Sequence, residues 1–436
     1  MWTYHPELLA TPVPRYTSYP TAADFGPLED GSTERAIAGE DGDVSLYLHI
    51  PFCEKICYYC GCNTGASGKR ARVETYLDAL HQELATAASL LPASARVRRV
   101  AFGGGSPNAI QPDEFLALVD ALHAHFPLYA TEWSIELDPR SLTPDWGPVL
   151  REVGITRASM GVQTFAHHCQ VAIGREQSLT MICRSVELLR RAGVTSLNFD
   201  LMYGLPHQSE ADLEDSLQHT VKLGADRVAV FGYAHVPHLV PRQAMIPENA
   251  LPGAAARFAM ASQAHAVLTA EGYDAIGFDH FALPHDPMAG AVRSGTLRRN
   301  FQGFTDDQAD ALIGLGATAI SGFSGLIAQN EKHNGRYRQL SAEGRLSANH
   351  GILRSPEDLR RGAVIEALLC RGDAVLPEDL ADAARPRLAP FIAADLAALE
   401  GNRLTIRSGG LPYARVIAAL FDSYRAETLR KFSSAI

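Results

Sequence analysis

Six short runs rich in β-branched and aromatic residues recur through the first half of the chain, each followed by a stretch with helical character. This rhythm constrains the fold more than any other feature. The runs are Ser45–Pro51 (SLYLHIP), Arg98–Phe102 (RRVAF), Trp133–Leu137 (WSIEL), Arg157–Val162 (RASMGV), Ser196–Met202 (SLNFDLM) and Arg227–Phe231 (RVAVF). Their length and composition suit buried parallel strands. Between them, Leu77, Leu80, Leu84, Ala88 and Leu91 share one face at a period of 3.6, and Leu188, Leu189 and Ala192 precede Gly193, a candidate C-cap. Strand–helix repetition implies βα units with right-handed crossovers around a parallel sheet. The expected fold class is α/β, with six such units forming a partial (β/α)6 barrel; an open doubly wound sheet is the competing topology.

Polar residues follow the strands: His49 and then the cysteines, Gly103-Gly104-Gly105-Ser106, Glu136-Leu137-Asp138-Pro139, Gln163, Asp200 and Ala234-His235. Each sits where a strand's carboxyl end meets its loop, the edge at which both topologies assemble chemistry. Any one of them could be an ordinary turn residue. Their coincidence at a single edge points to a site.

Beyond about residue 330 the pattern changes. Arg354–Leu369 carries Ser355 as a candidate N-cap, Pro356 at the first helical position and Asp358 in a capping-box position. A second helix over Phe391–Leu399, a strand-like Arg403–Ile406, Gly409-Gly410 and a final amphipathic helix near Ala414–Phe432 complete the reading. It predicts a small, mostly helical, winged-helix-like C-terminal domain. The expected division is an N-terminal extension over 1–40, a catalytic domain over 41–350 and the C-terminal domain over 351–436.

Composition narrows the function classes. Of 436 residues, 46% are apolar and 20% charged, which suits a sizeable buried core. No run of about 18 uncharged apolar residues is present, so no membrane span is expected. The first 25 residues carry prolines and acids where a signal peptide needs a basic start and an apolar stretch, so a cytoplasmic location is expected. A net charge of −10 argues against general nucleic-acid binding.

Four of the seven cysteines, Cys53, Cys57, Cys60 and Cys62, fall within ten residues. Such clustering in a cytosolic chain reads as metal or redox chemistry. Cys169, Cys183 and Cys370 are isolated and read as buried apolar residues. Cys53, Cys57 and Cys60 have the spacing C-x3-C-x2-C. Three thiolates in a tight loop suit one corner of an iron–sulfur cube and leave one iron open. An open iron can chelate the amino and carboxylate groups of S-adenosylmethionine and pass an electron to its sulfonium, which yields a 5′-deoxyadenosyl radical. Zinc with His49 as fourth ligand is the rival, but zinc sites more often pair C-x2-C knuckles from separate hairpins. Cys62, two residues beyond Cys60, would strain the loop as a fourth ligand and is left out of the set.

LYLHIPFCEKICYYCGCN resembles the cluster loop of radical S-adenosylmethionine enzymes, and in particular that of the oxygen-independent coproporphyrinogen III oxidases (dehydrogenases). PRYTSYPTA, FGGGSP, SIELDPR, RASMGVQTF, GREQ, NFDLMYGLP, YAHVP, IGFDHFALP, RNFQGFT and GATAISG follow that family's order from Pro14 to about Asn330. The resemblance implies that Cys53, Cys57 and Cys60 hold a [4Fe-4S] cluster and that Tyr47 and Tyr59 lie beside cluster-bound S-adenosylmethionine. It further implies that Gly104, Gly105 and Ser106 receive the methionine end, with Ser where the family more often has Thr. Glu136 and Ile320 match contacts to the first cofactor. Gln163, Arg175, Asp200 and Ala234 match positions holding a second S-adenosylmethionine. Phe301 and Gln302 match residues against the reacting cofactors.

The implied reaction is anaerobic oxidative decarboxylation of two propionates of coproporphyrinogen III to vinyl groups, giving protoporphyrinogen IX. A donor such as flavodoxin or ferredoxin, an unnamed terminal electron acceptor and a monomeric chain are implied with it. A tetra-anionic substrate needs a locally cationic pocket, for which Arg15, Arg175, Arg298 and Arg299 are the candidates. The alternatives are a haem chaperone of the related subgroup, which typically lacks PRYTSYPTA and the Cys-Gly-Cys extension, or a radical enzyme acting on another tetrapyrrole. His235 and His238, and His167-His168-Cys169, read as solvated or hydrogen-bonded groups.

Overall fold

A computed structural model describes residues 2–427. The six expected strands form over Asp43–Ile50 (β1), Arg96–Gly104 (β2), Leu128–Leu137 (β3), Ile155–Gln163 (β4), Ser196–Tyr203 (β5) and Arg227–Gly232 (β6). Each pairs in parallel with the next, so the order across the sheet is the order along the chain. A doubly wound sheet reverses order at a switch point. This sheet does not, and the partial-barrel expectation holds. A seventh parallel strand, Ala311–Leu315 (β7), returns to lie against β1. Antiparallel strands extend both edges, and Gly26–Pro27 of the N-terminal segment pairs with His350–Gly351.

The helices between the strands are Arg70–Leu90 (α1), Pro112–His125 (α2), Trp146–Val153 (α3), Leu179–Ala192 (α4) and Glu210–Lys222 (α5), with Ala254–Ala270 (α6) after β6. Local chemistry sets their ends. The Ser178 side chain accepts from Met181 N at the start of α4, and Gly193 closes that helix at φ 105. Ser209 and Asp212 form a reciprocal capping box on α5. Val73, Leu77, Leu80 and Leu84 of α1 are buried, each contributing roughly 1.5–3 kcal/mol of transfer free energy.

Alternation along the strands separates core from lumen. Val44, Leu46, Leu48 and Ile50 of β1, Ile135 and Leu137 of β3, and Leu197, Phe199 and Leu201 of β5 are buried in the core cluster. The intervening residues, among them Ser45, Arg99, Glu136, Ser159 and Asp200, line an interior cavity of about 320 Å³. A period of two thus builds a polar interior behind an apolar outer wall. The amino end of this lumen is plugged by Asp306, which accepts at 2.8 Å from Arg99 and from both terminal nitrogens of Arg157.

In the C-terminal part, Ser355 and Asp358 cap Pro356–Arg371 (α7) as expected. The second helix lies earlier than expected, over Glu378–Ala393 (α8), and runs through Pro386 and Pro390. Asp395, at φ 59, ends it, so Ala397–Glu400 is a strand paired with Arg403–Ile406. Asp373–Val375 completes a three-stranded sheet beside these helices, in keeping with a winged-helix-like unit. The final helix is shorter than expected: Ala414–Ala418 (α9) gives way to 3-10 turns through Glu427, and the expected stretch to Phe432 runs outside the described residues.

Candidate active site

The cysteine loop leaves β1 at the carboxyl edge of the sheet. Phe52–Cys53 pairs with Gly65–Ala66, which folds the loop back on itself. Cys53 and Cys57 are buried, Cys60 is half-buried and Cys62 is exposed. The Thr64 hydroxyl donates to Cys53 Sγ at 3.2 Å, and burial pushes the Cys53 thiol up to about 11. The Cys62 thiol hydrogen bond, with its backbone N–H at 3.4 Å, pulls Cys60 down to about 6. Two guanidiniums reach Cys57 Sγ, from Arg140 Nη2 at 3.3 Å and Arg175 Nη1 at 3.4 Å. Both also donate to Asp138, at 2.6 and 3.1 Å. Burial alone would raise the Asp138 carboxyl, but Arg175 and Arg140 hold it below its usual range.

The second loop follows β2. Gly105 N donates to Ile50 O at 2.9 Å and Ser106 N to Phe52 O at 2.7 Å, so this loop is sewn to the cysteine loop. A Cβ on Gly105 would lie 2.5 Å from Phe52 O, and Gly104 holds φ 116. Only glycine supplies both the clearance and the left-handed backbone. Gly104 N donates to Glu136 at 3.2 Å, and burial pushes the Glu136 carboxyl up to about 7. The Ser106 hydroxyl donates to Asn108 at 2.5 Å.

Tyr47 on β1 shares a 3.2 Å hydrogen bond with His49 Nδ1; burial lowers His49 to about 4. Asp200 accepts from Ser159 at 3.0 Å and from Asn198 at 2.8 Å, and burial raises its carboxyl. Gln163 closes β4 at φ 67, a backbone cost of about 1–2 kcal/mol for a non-glycine residue. Glu136, Asp200 and Gln302 line the interior cavity together, whereas Phe301 lines a neighbouring one and stacks edge-on to Phe25 at 6.4 Å. Ile320 lies in the antiparallel strand next to β7. Arg175 is enclosed by protein acceptors, donating to Gly161 O and Asp138 as well as to Cys57.

Several contacts escaped the sequence reading. Asp138 and Arg140 sit in SIELDPR, where the sequence places Asp138 at the strand edge without a role and does not mark Arg140. Gln243, buried beyond β6, donates to Tyr59 O at 2.8 Å and Ala234 O at 3.1 Å and accepts from Val236 N at 2.6 Å. It ties the cysteine loop to the last strand with no motif to mark it. His235 bonds Tyr233 at 3.0 Å. Asp212 joins His168 and Cys169 within 4.8 Å, although Asp212 already serves the α5 cap.

The donor chemistry fits an iron–sulfur cluster. Tetrahedral zinc draws its thiolate sulfurs to roughly 3.8 Å of one another, and Cys53, Cys57 and Cys60 do not gather within 4.8 Å among the described residues. Cationic donors on Cys57 suit a thiolate ligand to an anionic cluster. The glycine cradle between Phe52, Thr64 and Glu136 keeps backbone open for an organic ligand beside it.

Comparison with known proteins agrees. Residues 47–220 match the Radical SAM superfamily. The chain is 41% identical to the oxygen-independent coproporphyrinogen III oxidase of Cereibacter sphaeroides, over 96% of this chain and 95% of that one. It is 36% identical to the protein of the same name in Pseudomonas aeruginosa, over 97% and 96%. The solved coproporphyrinogen III oxidase of Escherichia coli, a radical SAM enzyme, superposes with a TM-score of 0.91 at 34% identity, covering 97% of this chain and 99% of that one.

Proposed function

The chain belongs to the family of oxygen-independent coproporphyrinogen III oxidases, and from that premise we propose that it decarboxylates two propionates of coproporphyrinogen III to vinyl groups in haem biosynthesis, as a radical S-adenosylmethionine oxidoreductase. One observation carries the reading: three loop thiols, one under two arginines, stand at the mouth of a polar barrel beside a glycine cradle. Cys53, Cys57 and Cys60 are assigned to a [4Fe-4S] cluster. When bound, the cluster and S-adenosylmethionine supply an adenosyl radical that takes a hydrogen from the propionate β-carbon.

The chain's own residues bind, orient and exclude water. The N–H groups of Gly104, Gly105 and Ser106 are held by Glu136, Ile50 O and Phe52 O, so this backbone is assigned to offer carbonyl acceptors to the methionine amino group. Glu136, poised near neutrality by burial, faces the cationic cofactor. Asp200 has two hydrogen-bonded oxygens that suit ribose hydroxyls. Tyr47, Tyr59 and Ile320 are assigned to the walls of the first cofactor site, and Gln163, Arg175 and Ala234 to a second S-adenosylmethionine. The guanidinium of Arg175 already holds Asp138 and Cys57, so we assign it to ordering that end rather than to gripping a carboxylate. Phe301 and Gln302 are placed against the reacting groups.

No helix of the described residues is long and apolar enough to cross a membrane, and we read the protein as a cytoplasmic monomer. Lys332, Arg72 and Arg338 line a cleft with Phe52 of the cysteine loop; its charge supports an acidic electron donor such as flavodoxin or ferredoxin. We divide the chain into an extension over 1–40, a catalytic domain over 41–350 and a C-terminal domain over 351–436.

The test is anaerobic incubation of reconstituted protein with coproporphyrinogen III, S-adenosylmethionine and dithionite, with Cys57→Ser as control. Vinyl product from the wild type and none from the variant is expected. Turnover by a variant lacking iron–sulfur absorbance, or tight haem binding by the wild type without turnover, would overturn the reading.

A further inference from the structure

Behind the last barrel strand lies a small cavity of about 50 Å³, separate from the lumen. The N-terminal segment, the barrel and the C-terminal part all contribute to its wall: Arg15, Tyr203, Ala234, Arg257, Asp279 and Arg415. Three guanidiniums therefore surround a space large enough for one carboxylate group. The single acidic side chain among them, Asp279, is bonded to His280 at 2.7 Å.

The arginines are held in place through carbonyls. Arg15 Nη2 donates to Gly232 O at 3.0 Å while its guanidinium lies over the Phe231 ring. Arg257 Nη2 donates to Tyr233 O at 2.7 Å, and its Nε is buried with no partner. Arg299 fixes the segment that carries Arg15, donating from Nε to Tyr16 O and from Nη2 to Arg15 O, each at 3.0 Å. Among the described residues, no carboxylate lies within ion-pair distance of Arg15, Arg257 or Arg299. Burial and the neighbouring charge of Arg15 pull Arg415 down to about 10, and burial lowers Arg257 and Arg299 as well. Arg257 Nε, a buried donor left without an acceptor, costs stability unless a ligand completes it.

We propose that Arg15, Arg257 and Arg415 form a carboxylate site that anchors one unreacting propionate of the tetrapyrrole, with Arg299 positioning Arg15. The assignment rests on the reading of the chain as a coproporphyrinogen III oxidase. It adds residues that no motif marks, and it gives the N- and C-terminal parts a shared task. It also moves the cationic pocket away from Arg175, which serves Asp138 and Cys57, and from exposed Arg298, which donates to Ala309 O. The cavity lies beside Ala234, so an anchored macrocycle edge would remain near the cofactor end of β6.

The test titrates reconstituted wild type, Arg257→Gln and Arg415→Gln with coproporphyrin III, the oxidised and unreactive relative of the substrate, and with its uncharged tetraamide, by fluorescence quenching. Each substitution is expected to weaken coproporphyrin III roughly tenfold or more and the tetraamide less than about twofold. Unchanged affinity for coproporphyrin III, or the same loss for both ligands, would overturn the site. Should either variant fail to fold, Arg15→Gln, on a half-buried residue outside the barrel, gives the same comparison with the same two outcomes. Wild type that turns over coproporphyrinogen III beside variants that bind normally refutes the anchor alone. Wild type that neither binds nor reacts refutes the functional reading beneath it.

Discussion

Asp138→Asn tests how the arginines over the cysteine loop are held. The Asp138 carboxylate accepts from Arg140 Nε at 3.0 and 3.1 Å, from Arg140 Nη2 at 2.6 Å and from Arg175 Nη1 at 3.1 Å. The side chains of Asp138, Arg140 and Arg175 are 10%, 10% and 7% exposed, so solvent screens the charges little. An amide of the same shape keeps one oxygen and turns the other acceptor into a donor facing a guanidinium. Breaking a buried pair by removing one partner costs about 3–5 kcal/mol. The lower figure applies here because an acceptor survives and Cys57 remains alongside.

For an unfolding unit of about 300 residues, a loss of about 3 kcal/mol lowers Tm by roughly 5 °C. The folded Asp138 titrates below its ordinary 3.8. Its contribution is therefore present above 3.8 and is lost as pH falls through the lower folded value. Differential scanning fluorimetry at pH 7 should show the full gap between wild type and variant, and urea melts below pH 3.8 a narrowing one. The variant should also lose iron faster, because Arg140 and Arg175 no longer hold Cys57 between them. A gap of less than about 1 °C at pH 7, or one that widens in acid, would refute this reasoning.

Gly105→Ala places a Cβ 2.5 Å from Phe52 O and 2.8 Å from Phe52 N; since backbone cannot swing aside, overpacking of about 1–3 kcal/mol should displace the cradle and abolish S-adenosylmethionine binding in equilibrium dialysis. Glu83, buried under Gly316 N, Asn330 and Tyr337, is raised by burial from 4.5 to about 7. Stability from this group is full below pH 4.5 and falls by about 3 kcal/mol as pH rises through 7, and Glu83→Gln should remove that slope from urea midpoints. Glu136, raised by burial to about 7, should make S-adenosylmethionine affinity climb between pH 6 and 8, and Glu136→Gln should give weaker binding that no longer varies over that range.

Legibility followed the range over which each feature is encoded. The six barrel strands were readable because each is a local run with its own composition, and α7 because Ser355, Pro356 and Asp358 mark its start. Strand β7, Ala311–Leu315, is a short apolar run whose strand identity comes from pairing with β1, far away in sequence. Helix α8 runs through Pro386 and Pro390, residues that local propensity places outside helix interiors, because packing of Leu380, Ala384 and Leu388 into the core overrides their cost. Its end was missed because Asp395, not glycine, takes the left-handed turn. In the site, the thiols announce themselves by spacing. Asp138, Arg140 and Gln243 act through contacts that only the fold creates, and the carboxylate site draws on residues 15, 257 and 415, which no local pattern could join.

The central claim is that three thiolates hold a four-iron cluster with one iron left for S-adenosylmethionine. Mössbauer spectroscopy of protein reconstituted anaerobically with iron-57 tests it most directly. The account predicts one iron whose signal separates from the other three and shifts when S-adenosylmethionine is added. Four irons unaffected by S-adenosylmethionine, or a protein that takes up no cluster, would contradict it.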